Sequence, residues 1–107
     1  MPVPPSRQIV SEGELRQLFN GNQYWEKVQA GEFTQLLRRD RHLGVAKPRL
    51  PFCTHSQSAV YFDSQSQPIA IVHQYVLPDG TIGASGRPDP KMVRVDNVTY
   101  ILAPPST

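Results

Sequence analysis

The chain has 107 residues, 38% of them hydrophobic and 19% charged, and a formal charge of +2; that is enough for one modest core without a structural metal and too little for two ordinary domains. So small a charge excess falls short of the concentrated basic surface usual in nucleic-acid binders, so its distribution matters more than its total. No apolar run reaches the roughly 18 residues of a membrane-spanning helix, and the N-terminus lacks the basic-then-apolar layout of a secretory signal.

Eleven prolines have to sit largely outside regular structure. Pro2, Pro4 and Pro5 open the chain and Pro104 and Pro105 close it. This predicts an extended arm over residues 1–8, one folded domain over 9–102 and a tail over 103–107. Cys53 is the single cysteine, so no internal disulfide can form and nothing points to an oxidising compartment; a cytoplasmic location is the expectation.

In chain order, Ser11 precedes Glu14 by three residues, the spacing at which hydroxyl and carboxylate cap a helix start. Leu15, Leu18 and Phe19 then share one helical face, and Asn20, Gly21 and Asn22 supply residues that tolerate the geometry of a helix end. From Gln23 a second helical stretch brings Tyr24, Trp25 and Val28 together, with core packing as the first explanation of the two aromatics. The apolar spacing resumes after Gly31 with Phe33, Leu36 and Leu37, so this stretch is either one helix or two divided at Gly31. It closes on Arg38, Arg39, Asp40, Arg41 and His42, where cations suit a helix C-terminus, and Gly44 is the expected stop. Pro48 and Pro51 make residues 45–54 a linker from helices to sheet.

Residues 58–63 and 68–77 read as paired strands, the second placing Ile69, Ile71, His73, Tyr75 and Leu77 on one face, taken to be the buried one. The polar tract 63–67 joins them, and Pro78, Asp79 and Gly80 combine a fixed φ with a residue free to take positive φ, giving a second reversal. Thr81 and Ile82 begin a third strand before a Gly- and Pro-rich loop over 83–91. Strands over 92–95 and 98–102 flank Asp96 and Asn97 as a closing hairpin. The fold class expected is α+β, with two or three N-terminal helices packed on an antiparallel meander of four or five strands. An unpaired edge in so small a sheet also offers a route to a homodimer by strand addition.

The densest basic stretch is Arg38, Arg39, Arg41, His42, Lys47 and Arg49. Guanidinium forks bind phosphate and carboxylate alike, so it suits a nucleic acid or an acidic protein surface, or it is a solvated helix end. The loop from Gly83 to Lys91 allows close backbone approach and carries Arg87 and Lys91, but it matches neither nucleotide-binding fingerprint. His73 and Tyr75 lead toward that loop. Gathered with Arg87 and Lys91 they suit phosphodiester chemistry, the imidazole or phenol moving protons and the cations stabilising charge on phosphorus; the alternative is a hydrogen-bonded core histidine. Cys53 and His55 lack the second ligand pair that a zinc site needs, and Ser85 lacks a nucleophile-elbow context. No catalytic set, metal or cofactor is assigned.

The segment from His73, Gln74 and Tyr75 through Pro78, Asp79 and Gly80 to Gly83–Lys91, preceded by 38–43, resembles a group of small bacterial proteins, some carried in mobile DNA. That resemblance implies a compact bacterial domain and no particular chemistry, and it leaves out residues 1–20. By its size, its mild basicity and two helices ahead of an antiparallel sheet, the chain also resembles the ribosome-dependent ribonuclease toxins of toxin and antitoxin pairs; the leading strand of that architecture would have to come from Arg7–Val10. The expected function is that of a small non-catalytic binding protein contacting a protein or nucleic-acid partner through the arginine patch and the Gly-rich loop. The alternative is a ribonuclease toxin.

Overall fold

The structure, a computed structural model, describes residues 6–42, 53–83 and 86–103. The chain opens with strand β1 (Ser6–Val10) and crosses one face of the sheet as helices α1 (Glu12–Gly21) and α2 (Tyr24–Gln29). It then runs as a meander of β2 (Thr34–His42), β3 (His55–Phe62), β4 (Pro68–Val76), β5 (Asp89–Val95) and β6 (Val98–Leu102). The sheet order is β1-β6-β5-β4-β3-β2, with β1 parallel to β6 and every other pair antiparallel. The architecture is therefore α+β with two short helices and a six-stranded mixed sheet, rather than a purely antiparallel one of four or five strands. β1 begins at Ser6, within the expected arm, because a parallel ladder to β6 satisfies its backbone groups. Residues 1–5 and 104–107, the outer parts of the expected arm and tail, lie outside the described residues.

The start of α1 and the end of α2 follow local signals, whereas the left-handed residue between the helices is Gln23, at φ 57°, rather than Asn20, Gly21 or Asn22. Ser11 caps α1 by accepting the Glu14 backbone N–H at 3.1 Å, while its own hydroxyl donates to Glu14 Oε1 at 3.1 Å. α2 ends in a Schellman motif: Gly31 takes φ +84°, its N–H donates to Val28 O, and the Glu32 N–H donates to Lys27 O. That stop corrects the expectation of a further helix through Phe33, Leu36 and Leu37. Gly31 turns the chain away, and residues 34–42 pair with β3 instead. Leu36 and Leu37, 58% and 44% exposed there, take the strand conformation because the ladder to β3 overrides helix propensity.

The turns are equally local. Asp63 Oδ1 accepts the backbone N–H groups of Gln65 and Gln67, both at 2.9 Å, closing the β3–β4 reversal. Leu77 and Thr81 close the next one, with Gly80 at φ +88° donating to Leu77 O. Asp79 accepts both the backbone N–H and the hydroxyl of Thr81, which holds its carboxyl below the usual range. The expected third strand at Thr81 and Ile82 reduces to one bridge, Val76 to Ile82. Asp96 and Asn97 both take positive φ, 49° and 70°, the signature of a two-residue type I′ hairpin.

The core lies between the helices and one face of the sheet. Leu15 and Phe19 of α1 are fully buried over Ala59, Tyr61, Ala70, Val72 and Val93, which are buried as completely. Phe19 meets Tyr61 at 5.8 Å between ring centroids and Tyr24 edge-on at 6.1 Å. This reverses the expected facing of β4. The buried face carries the smaller Ala70 and Val72, whereas Ile71, His73 and Tyr75 point to the face without helices. Small residues win the inner face because Phe19 and Tyr61 already fill the space above them. Ile69 still reaches the core side, through a register shift between Tyr61 and Phe62. No helix among the described residues is long and apolar enough to cross a membrane.

Candidate binding surface

Two features dominate the helix-free face. The first is an apolar row running across all six strands in register: Leu36, Val60, Ile71, Met92, Ile101 and Ile9. Its ends are the open parts, with Leu36 58% and Ile9 61% exposed, whereas Val60 next to Leu36 is buried and Ile71, Met92 and Ile101 are half-buried. The second is a polar block beside it. A bulge between Leu37 and Arg39 shifts the alternation of β2, so that Arg39 stands opposite Ser58 and Arg41 opposite Ser56. Ser58 in turn faces His73 and Ser56 faces Tyr75. The bulge thus sends two arginines to the same face as the histidine.

Within the block, His73 Nε2 lies 2.8 Å from Ser56 Oγ and the imidazole meets the Tyr75 ring edge-on at 4.8 Å. Asp40 points to the opposite face, where its Oδ1 lies 2.7 Å from His55 Nδ1. Arg38, Arg39 and Arg41 are exposed, and the described residues offer none of them an ion-pair partner. Arg38, Arg39, Ser58 and Ile71 line an open hollow of about 340 Å³ where the polar block meets the apolar row. His42 closes β2 opposite His55, while its side chain, like Lys47 and Arg49, lies outside the described residues.

The two cations of the expected 83–91 loop are placed differently, and that loop is shorter than expected: β5 begins at Asp89, which puts Lys91 in a strand. Arg87 donates through Nη2 to both carboxylate oxygens of Glu26, through Nε to Asn20 Oδ1 at 3.0 Å, and lies over the Trp25 ring at 4.8 Å. It clamps the loop onto α1 and α2. Lys91 Nζ is 3.0 Å from Asp89 Oδ2, and Asp89 Oδ1 is 3.5 Å from Arg16 Nε. Even so, Arg87 and Asp89 join His73, Gln74, Tyr75, Gly83 and Arg16 around one cleft of about 310 Å³. It opens where the end of β4 leaves β5, whose pairing with β4 stops at His73 and Asp89. Ala84 and Ser85 of the loop lie outside the described residues. The arginines of β2 and the pair Arg87 and Lys91 therefore belong to two places, with His73 and Tyr75 near both.

Buried phenols lie beneath the helices. Burial pushes the Tyr61 hydroxyl well above its ordinary range, Glu26 adding to the rise and Arg87 opposing it. Tyr24 is raised too, by burial first and by Asp96 and Asp63 after it, and its hydroxyl donates to Arg94 O at 2.5 Å. Neither lines the cleft. Among the described residues no three His, Cys, Asp or Glu side chains group as a metal site. The apolar row needs the register of six strands, which no local pattern carries; its trace on β4 is Ile71 in alternation with His73 and Tyr75, a face that the sequence alone places in the core. Compared with known proteins, the chain matches no family model, no curated protein and no solved structure.

Proposed function

We propose that the chain is a small non-catalytic binding protein whose contact surface is the β2 edge and the adjoining helix-free face of the sheet. One observation carries this reading: Arg38, Arg39 and Arg41 stand exposed on an edge strand without an ion-pair partner among the described residues, while Arg16, Arg87 and Lys91 are each paired. Clustered like charges repel, and an anionic group that meets their fork donors relieves that repulsion. The exposed ends of the apolar row add surface that gains from being covered. The test is affinity capture from host extract by the full chain and by Arg38→Ala/Arg39→Ala/Arg41→Ala. A partner lost with the triple variant, at unchanged circular dichroism, supports the reading; identical partners at identical yield overturn it.

A second reading, ribonuclease action, has its own observation: His73, Tyr75 and Arg87 line one cleft, with Lys91 one ion pair away through Asp89. There the imidazole would move protons and the guanidinium would stabilise charge on phosphorus. Against it, the Arg87 fork is already engaged by Glu26. Growth arrest on expression, together with RNA cleavage that His73→Ala abolishes, would favour the enzyme; purified protein that cleaves no RNA, free or on ribosomes, rules it out.

A further inference from the structure

We infer that β2 is an acceptor edge for an extended acidic segment of a protein partner, which adds to the sheet as a further antiparallel strand. The inference rests on the binding reading above and names the chemistry of the partner. β2 spans nine residues, Thr34–His42, all those with a described side chain are exposed, and its only ladder among the described residues is to β3. Its outer backbone donors and acceptors thus form a template longer than the five-residue edge at β1. Natural sheets guard such edges with charge or a bulge. Here both are present, but the charge is of one sign: three arginines against Asp40, which is engaged by His55 on the other face. An edge charged in that way repels copies of itself and attracts an acidic strand.

The register fixes what the added strand must carry. On the helix-free face Arg39 and Arg41 call for carboxylates opposite them, and Leu36 calls for an apolar side chain that extends the row ending there. A second copy fits poorly. Antiparallel β2–β2 registers centred on Arg38, Arg39 or Asp40 set like charges directly opposite, and any register brings together two strands with three arginines and one aspartate each. A nucleic acid fits less well than an acidic strand, because the open backbone edge of β2 offers it no ladder, and Tyr75, the aromatic ring in line with Arg41, stands two strands away beyond Ser56.

The test titrates the full chain into a short labelled, capped peptide that alternates threonine with glutamate in its N-terminal half and threonine with valine in its C-terminal half. A version N-methylated at alternate residues keeps the charges and loses the ladder donors on one edge. We expect saturable binding, a loss of about tenfold on N-methylation, a similar loss for Arg39→Glu/Arg41→Glu, and recovery by that variant of a peptide whose glutamates are lysines. Slower amide exchange over Thr34–His42 should accompany binding. The inference is overturned if the acidic peptide does not bind, if N-methylation leaves its affinity unchanged, if only a uridine oligonucleotide binds, or if β2 pairs with a second copy in a dimer that Leu36→Lys dissolves. These outcomes leave the arginine surface standing as a binding site of another kind. The binding reading itself fails separately, when the triple alanine variant captures the same partners as the parent.

Discussion

Arg87 lies over the indole of Trp25, its guanidinium carbon 4.8 Å from the ring centroid, while the same group grips both carboxylate oxygens of Glu26. The Gly-rich loop is thereby fastened to α2, and α2 in turn to the sheet through Tyr24 and Arg94 O. Side chains of Arg87 and Glu26 are 34% and 41% exposed, so solvent screens the ion pair and the stacking contributes comparably. Arg87→Ala should cost about 1–2 kcal/mol in denaturant unfolding, and Glu26→Gln about half of that. If Arg87→Ala unfolds like the parent, the loop is not held by this contact.

Phe19 is the piece on which the two layers meet. It is fully buried between Tyr24 and Tyr61 and stands over sheet positions as small as Ala59 and Ala70. Phe19→Ala should cost about 3–5 kcal/mol, a large share of the stability of a small domain. Phe19→Leu, which keeps most of the volume, should cost under about 2 kcal/mol. Urea titrations of the two variants measure both, and equal losses would mean that this core is not tightly packed.

Tyr61 has a fully buried side chain whose hydroxyl finds no hydrogen-bond partner among the described residues. Tyr61→Phe should therefore leave stability unchanged or raise it by up to about 1 kcal/mol. A clear loss would reveal a partner for the hydroxyl.

The same phenol, with Tyr24, ties stability to alkaline pH. Both are raised above the unfolded value near 10, so in the folded chain they keep protons that the unfolded chain gives up. Their stabilising share is complete below about pH 10 and is lost as pH rises from there toward the folded values, by up to about 1.4 kcal/mol per pH unit for each group. Melting temperatures measured across pH 9–11 should fall at the upper end, and Tyr61→Phe should flatten the fall. A Tyr61→Phe curve parallel to that of the parent would contradict this.

Features set by near neighbours were readable in the sequence. The Asp63 and Pro78–Gly80 reversals and the Asp96–Asn97 turn each depend on residues within a few positions and formed as spaced, and so did the hydroxyl half of the Ser11 cap, while the Glu14 carboxylate accepts the Ser11 hydroxyl rather than a backbone N–H. What depended on distant partners was not. Phe33, Leu36 and Leu37 have helical spacing, but Leu36 and Leu37 belong to a strand because Val60 and Ala59 lie opposite. β4 faces the helices with Ala70 rather than Ile71 because of what Phe19 and Tyr61 occupy, a fact that no window on β4 contains. Of the candidate surface, the arginine cluster was visible as composition. That Arg39 and Arg41 join Ser58, Ser56 and His73 on one face depends on a single bulge, and that Arg87 turns to Glu26 depends on α2 lying above the loop.

The most direct measurement of the central claim is a hydrogen-exchange footprint of the full chain with and without its captured partner. The account predicts that protection rises over Thr34–His42 and along the facing part of β3, with little change in α1 and around Gly83 and Arg87. Protection confined to the cleft of His73, Tyr75 and Arg87, with β2 exchanging as in the free chain, would contradict it.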